Sequence, residues 1–326
     1  MYASLRSRAL AAATVGLALL CNTAIAQAGY PDRPIRLIVT FGPGSGADTI
    51  ARIIGEKLSQ QLNVAVTVEN REGAGGAIGA TVAARAPADG YTLMLGATTM
   101  AVSPWLQAKP PYDPAKDFVP IVKVAELPLM LVAAESAPYK SLKELVAYAR
   151  ANPGKLTYAT SGKASPSHLG VEMIRQATKI DVRDVPYKNV GQAMTDTLSG
   201  QVSFYFPAVT AALPQLGAGK LRGLALGAVQ RSTQAPEVPT VAEETGVKGL
   251  EVITWYGLFA PAGTPKEITD RIYVESARLV ATEDARNRLR KTGADVALAG
   301  PQEFAATVRT DSAKYSKLIN DLGLKE

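Results

Sequence analysis

Short apolar runs alternate with amphipathic stretches from residue 35 almost to the C-terminus. "IRLIVTF" (35–41) has the character of a buried strand, and the segment after it places Ile50, Ile53, Ile54, Leu58 and Leu62 on one helical face. "VAVTVEN" (64–70), "TLMLGA" (92–97), "LTYATS" (156–161), "VSFYFP" (202–207) and "LALGA" (224–228) predict further strands. Capping-box spacings mark helix starts at Ser141 with Glu144, Thr240 with Glu243, and Thr264-Pro265 with Glu267. Asn152-Pro153-Gly154 ends a helix over 142–151. Strands that alternate with helices in this way predict an α/β architecture with mostly parallel sheets.

Two extended stretches break the rhythm. "FVPIVKVAELPLMLVAA" (118–134) and "LEVITWYGLFAPAG" (250–263) are each longer than an ordinary strand. Such lengths suit a chain that crosses between two lobes, with hinges near Glu126–Pro128 and Thr254–Tyr256. Residues 29–127 and 255–326 then form one lobe and 128–254 the other. One large sheet with two irregular strands is the alternative.

The first 28 residues follow a different pattern. Arg6 and Arg8 precede an apolar stretch from Ala9 to Leu20, and Ala24-Ile25-Ala26 and Ala26-Gln27-Ala28 both fit a signal-peptidase site. The expectation is a leader cleaved near residue 26 or 28 and export of the mature chain. Cleavage would remove Cys21, the only cysteine, so the mature chain would carry neither disulfides nor a thiol nucleophile. It would also remove Arg6 and Arg8, lowering the formal net charge from +6 to +4. That mild excess is spread along the chain without a basic block, which argues against nucleic acid as a partner.

Three loops between a strand and a helix are rich in small residues: "GPGSGAD" (42–48), "NREGAGGAIG" (70–79) and "TSGKASPSH" (160–168). Glycines let backbone amides approach a ligand, and a helix N-terminus adds partial positive charge, so an anion can be held without arginine. A P-loop is absent. The "GAGGAIG" glycines follow the second strand, and no acidic residue ends a strand about twenty residues later, which disfavours a dinucleotide. No cofactor is expected. His168 is the only histidine, and no G-x-S-x-G elbow accompanies it. It is a candidate ligand donor or a cap of its own helix. Asp48 is a candidate base or a dipole partner. With one histidine and no cysteine in the mature chain, a soft-metal site is not expected.

"YPDRPIRLIVTFGPGSGADTIAR", "VENREGAGGAIGA", "APADGYTLMLG", "YATSGKASPSHLG", "VPYKNVGQAMTDTLSGQV", "PEVPTVAEETG" and "WYGLFAPAGTP" together resemble the successive motifs of the Bug family. These are periplasmic substrate-binding proteins of tripartite tricarboxylate transporters. The resemblance runs from about Tyr30 to the C-terminus. It implies a two-lobed Venus-flytrap fold with a hinge of two crossover strands, closing on a small organic carboxylate. It also implies a ligand carboxylate held by backbone amides and ordered waters of the loops at Phe41, Gly42, Gly44, Ser45, Gly46 and Asp48, and at Gly73, Ala74, Gly75 and Gly76. Thr98 and Thr99 match first-lobe cleft positions, and Ser161, Gly162, Ser165 and His168 match the second-lobe loop. Pro207 and Ser203 stand where the family often has aspartate, which implies a preference for carboxylates with an uncharged aliphatic or aromatic body over amino acids such as aspartate and glutamate. Lys163 is a candidate cation at the rim. The implied role is capture, by a monomer without catalysis, for the membrane components of such a transporter. A sensing role toward a receptor kinase and an exported α/β hydrolase are the alternatives.

Overall fold

The structure, a computed structural model, describes residues 29–325 except Lys163, Lys188 and Thr233. The expected leader and the rim position of Lys163 lie outside the described residues. The chain first builds β1 (Ile35–Val39), α1 (Gly46–Leu62), β2 (Val66–Asn70), α2 (Ala77–Ala84), β3 (Thr92–Ala97), α3 (Thr99–Val102) and the long β4 (Phe118–Pro128). Next come β5 (Met130–Ala134), α4 (Leu142–Ala151), β6 (Leu156–Thr160), α5 (Pro166–Thr178), β7 (Val182–Pro186), α6 (Val190–Leu198), β8 (Phe204–Tyr205), α7 (Val209–Gly217), β9 (Leu221–Leu226) and α8 (Val241–Thr245). It ends with β10 (Ile253–Pro261), α9 (Lys266–Ala281), α10 (Glu283–Lys291), β11 (Asp295–Ala299) and α11 (Pro301–Asp321).

These elements form two lobes, each around its own sheet. The first sheet has the order β11-β4-β10-β3-β1-β2, the second β7-β6-β8-β5-β9. Neither is mostly parallel, which corrects the expectation. β1 pairs in parallel with β2 and β3, and β6 with β7 and β8. The remaining pairings, through β10, β4 and β11 in one sheet and β5 and β9 in the other, are antiparallel. Helical crossovers impose parallel pairing on the first group. Several strands of the second group carry the chain between lobes, so the crossing sets their direction.

The long stretch 118–134 divides at Leu129, leaving β4 in one sheet and β5 in the other. β10 runs antiparallel to β4, with Ile253 opposite Pro128. Three chain segments are laced at the crossing: Leu129 N donates to Val252 O, Gly227 N to Leu129 O, and Val252 N to Gly227 O, at 2.8–3.3 Å. α11 spans the same region. Its Phe304 and Val308 belong to a first-lobe core with Ile38 and Phe259, while Tyr315, Leu318 and Ile319 pack into the second-lobe core with Leu169 and Phe206.

Local signals explain most helix starts. Ser141 caps α4 by accepting from Glu144 N, and Thr240 with Glu243 forms a complete capping box at α8. The third predicted box does not form. Pro265 takes the N-cap position of α9, and Thr264 Oγ1 instead donates to Pro261 O at 2.8 Å, closing the turn after β10.

Candidate binding site

The loops after β1 and β6 are built on one plan. Aligning "TFGPGSGAD" (40–48) with "TSGKASPSH" (160–168) pairs Gly42 with Gly162, Ser45 with Ser165 and Asp48 with His168. Ser45 N donates to Gly42 O at 3.3 Å, and Ser165 N to Gly162 O at 3.2 Å. Each serine caps its helix: Ser45 Oγ accepts from Asp48 N, and Ser165 Oγ from His168 N. The side chain at the ninth position then reaches back. Gly44 N donates to Asp48 Oδ2 at 2.9 Å, and Ala164 N donates to His168 Nδ1 at 3.2 Å. Both donors have left-handed backbones, φ +81° at Gly44 and +56° at Ala164.

This plan fixes which amides can serve a ligand. Those of Gly44, Ser45 and Asp48 are taken up within the loop, so glycine at 44 answers to the backbone angle. The first-turn amides of Gly46 and Ala47 have no acceptor in the helix itself. They point out of the N-terminus of α1, a helix of 17 residues. In the second lobe Pro166 occupies the position of Gly46 and offers no N–H, and hydroxyls fill the neighbourhood instead. Ser167 Oγ accepts from Ser161 N at 3.2 Å and lies 3.0 Å from Ser165 Oγ.

Asp48 is buried and saturated. Burial pushes its pKa up, but hydrogen bonds from Arg52, the Gly44 amide and Asn70, with the Arg52 charge, outweigh that and hold it at about 2. Asn70 Nδ2 donates both to Asp48 Oδ1 and to Phe41 O, each at 2.9 Å, tying β2 to the loop. A carboxylate so held is a poor proton acceptor, so Asp48 organises the loop and does not act as a base. His168 Nδ1 accepts the hydrogen bond from Ala164 N, which assigns the ring hydrogen to Nε2 in the neutral tautomer. The ring stacks on Tyr158 at a centroid distance of 6.4 Å.

The loop from Gly73 to Gly76 runs entirely at positive φ, Ala74 included. A Cβ added to Gly76 would lie 3.2 Å from Thr40 Cβ, 3.3 Å from Thr40 Oγ1 and 3.6 Å from Thr99 Oγ1. Two threonine hydroxyls therefore converge behind this glycine. Both are buried, and neither has a hydrogen-bond partner among the described residues. Thr98 is engaged differently. Its Oγ1 accepts from Trp255 N at 2.9 Å and donates to Ile253 O at 3.1 Å, stitching β3 to the crossing strand.

The first- and second-lobe loops meet at one junction. Thr98, Thr99 and Val102 line a cavity of about 10 Å³ together with Ala164, Pro166 and Leu169. Ser203 does not join them. Its Oγ accepts from Thr157 N at 3.1 Å and its carbonyl from the Tyr139 hydroxyl, at the end of β6 remote from residues 161–168. Pro207 is buried beside the crossing, its carbonyl accepting from Met130 N at 2.9 Å. The rings of Phe204, Tyr205 and Phe206 are all core. Ser203 therefore serves the second-lobe framework at the far end of β6 and does not join the loop residues. Sequence reasoning also missed Thr40, which ends an apolar strand run, and Asn70. The recurrence of Thr, Gly and Ser at matching spacing in the two loops was the available signal.

Among the described residues no cluster of His, Cys, Asp and Glu could hold a metal ion, and no helix is long and apolar enough to cross a membrane. The family profile described as "Tripartite tricarboxylate transporter family receptor" matches residues 50–324. The protein BugT of Bordetella pertussis is 32% identical over 298 residues, covering 91% of each chain. Among solved structures, an R. palustris protein with adipate has 32% identity and a TM-score of 0.74, covering 90% of this chain and 98% of that one. MatC from Rhodopseudomonas palustris with bound malate has 32% identity and a TM-score of 0.70, covering 89% and 100%. A TctC solute binding protein from Polaromonas, without ligand, has 27% identity and a TM-score of 0.81, covering 90% and 99%. The chain belongs to the tripartite tricarboxylate transporter receptor family.

Proposed function

We propose that this protein is a periplasmic receptor that captures a small organic carboxylate between two lobes formed chiefly by 29–127 with 255–326 and by 128–254, the end of α11 packing on the second, and presents it to the membrane components of a tripartite transporter. The observation that carries this reading is the donor set at one corner of the first lobe. The first-turn amides of α1 at Gly46 and Ala47 have no acceptor within the helix, and the buried hydroxyls of Thr40 and Thr99 stand behind Gly76. A carboxylate accepts from several donors at once, and a helix N-terminus favours its charge. Adipate and malate in the related structures are ligands of that chemistry.

Capture without turnover is the better reading. The acidic and imidazole groups nearest the loops, Asp48 and His168, are each held by the backbone of their own loop. Lobe closure fits the present arrangement. Gly44, Gly46, Ala74, Gly75 and Ser161 are exposed, as an open cleft requires.

The test is a thermal-shift screen of adipate, malate, succinate and citrate, followed by calorimetry and scattering on the best. A true ligand at a hundred times its Kd adds about 2.7 kcal/mol of stability. A smaller radius of gyration on binding is expected. Absence of any shift, or turnover of a bound acid, would overturn the reading.

A further inference from the structure

We infer that Tyr256 is the side-chain hydrogen-bond donor of the carboxylate site, its phenol completing the N-terminus of α1. This rests on the carboxylate-receptor reading above.

Tyr256 sits on β10 opposite Ala97 of β3, and its ring packs in the first-lobe core with Leu37, Leu95 and Leu258. The residue is only 7% exposed. Its hydroxyl comes out of that core at the first residue of α1, where a Cβ added to Gly46 would lie 3.9 Å from it. A buried tyrosine hydroxyl ordinarily finds a partner. Tyr30, Tyr112, Tyr139 and Tyr158 do so here, donating respectively to Gly90 O, Met100 O, Ser203 O and Glu172 Oε1. The Tyr256 hydroxyl has none among the described residues. It is also not sealed away from solvent, in contrast to Thr40 Oγ1 and Thr99 Oγ1.

The chemistry matches the position. Burial pushes the phenol up to about 12, so it stays a neutral donor throughout the physiological range. A carboxylate seated at Gly46 and Ala47 would accept from two amides and from this hydroxyl. The same contact reaches the crossing strand directly, because Trp255, the preceding residue, is bonded to Thr98. A ligand at the α1 N-terminus would thus touch both a loop of the first lobe and the strand that joins the lobes.

The experiment compares the full-length mature wild type with Tyr256→Phe, using calorimetry with adipate and with malate and melting without ligand. The phenylalanine variant should bind the acid at least tenfold more weakly and melt within about a degree of wild type without ligand, since no protein hydrogen bond is removed. Tyr205→Phe, in the second-lobe core, should bind as wild type does. A ligand-induced change in tyrosine absorbance should be present in wild type and absent from Tyr256→Phe. Equal affinity of wild type and Tyr256→Phe overturns this assignment alone. Failure of wild type to bind any tested carboxylate overturns it together with the receptor reading.

Discussion

Asp48 and His168 hold the same station in the two lobes, each accepting a hydrogen bond from the amide four residues before it in a serine-capped loop. Their surroundings carry opposite charge one turn further on. Arg52 pairs with Asp48 at 3.0 Å, whereas the residue four beyond His168 is the buried Glu172. The loop geometry is common to both lobes, and the electrostatics is particular to each. Substitutions at matched positions should therefore have different consequences.

Replacing Asp48 by asparagine tests the electrostatic part. Its pKa is depressed in the folded state, so its contribution is present above the unfolded value near 4 and is lost as pH falls toward 2. Arg52 is half exposed, so the contribution is on the order of 1–2 kcal/mol. Denaturant melts at pH 7, 4 and 2.5 should show Asp48→Asn less stable at pH 7. The gap to wild type should narrow at pH 2.5.

At His168 the same exchange in reverse should fail. His168→Asn retains an acceptor for the Ala164 amide, while His168→Asp places a buried carboxylate one turn from Glu172 with no arginine at the matched position. The aspartate variant should be the less stable at pH 7 by about 2 kcal/mol, and the difference should shrink below pH 4 as that carboxyl protonates. Equal stability of the two variants at pH 7 would contradict this account of the second loop.

The left-handed station before each serine gives a paired test. Gly44 has open space around it, so Gly44→Ala is opposed only by its φ of +81°. A loss of about 1 kcal/mol is expected. Ala164 already bears a Cβ at φ +56°. Ala164→Gly should accordingly stabilise by up to about 1 kcal/mol. Melting temperatures moving in opposite directions for these two variants would confirm the shared plan.

Much of the fold could be read from the chain because its central strands are apolar. All six residues of β3 are buried, and the helix face predicted at Ile50, Ile53, Ile54, Leu58 and Leu62 is the buried face of α1. The edge strands β7 and β11 escaped because "VRDVP" is largely exposed and has no apolar run, while the four apolar residues of "DVALA" are short for a strand signal in a strand that is mostly half-buried. Strand direction escaped as well, since pairing partners lie far apart in sequence. In the site, the glycines were visible but their use was not. Whether the Gly44 amide faces a ligand or Asp48 depends on a side chain folding back over four residues, and spacing alone does not reveal that. Tyr256 falls at the expected second hinge beside Trp255, and only the structure separates the two: Trp255 Nε1 donates to Asp311 at 2.7 Å, whereas the Tyr256 hydroxyl has no partner among the described residues.

Thr40 and Thr99 offer the sharpest separation of stability from function. Each carries a buried hydroxyl without a partner among the described residues, a state that costs about 1–3 kcal/mol. Valine has nearly the shape of threonine and no hydroxyl to leave unsatisfied. Thr40→Val should therefore raise the melting temperature without ligand, by roughly 2 °C or more for a chain of this size. If the hydroxyl serves a carboxylate or a water bound with it, the same variant should weaken binding of adipate or malate by several-fold. Thr99→Val should behave alike, because both oxygens face Gly76 within 3.3–3.6 Å of its would-be Cβ. A purely structural hydroxyl would move stability and leave affinity unchanged. A rise in melting temperature with a fall in affinity, measured by calorimetry on both variants, is the outcome expected of side chains kept at a cost for ligand binding.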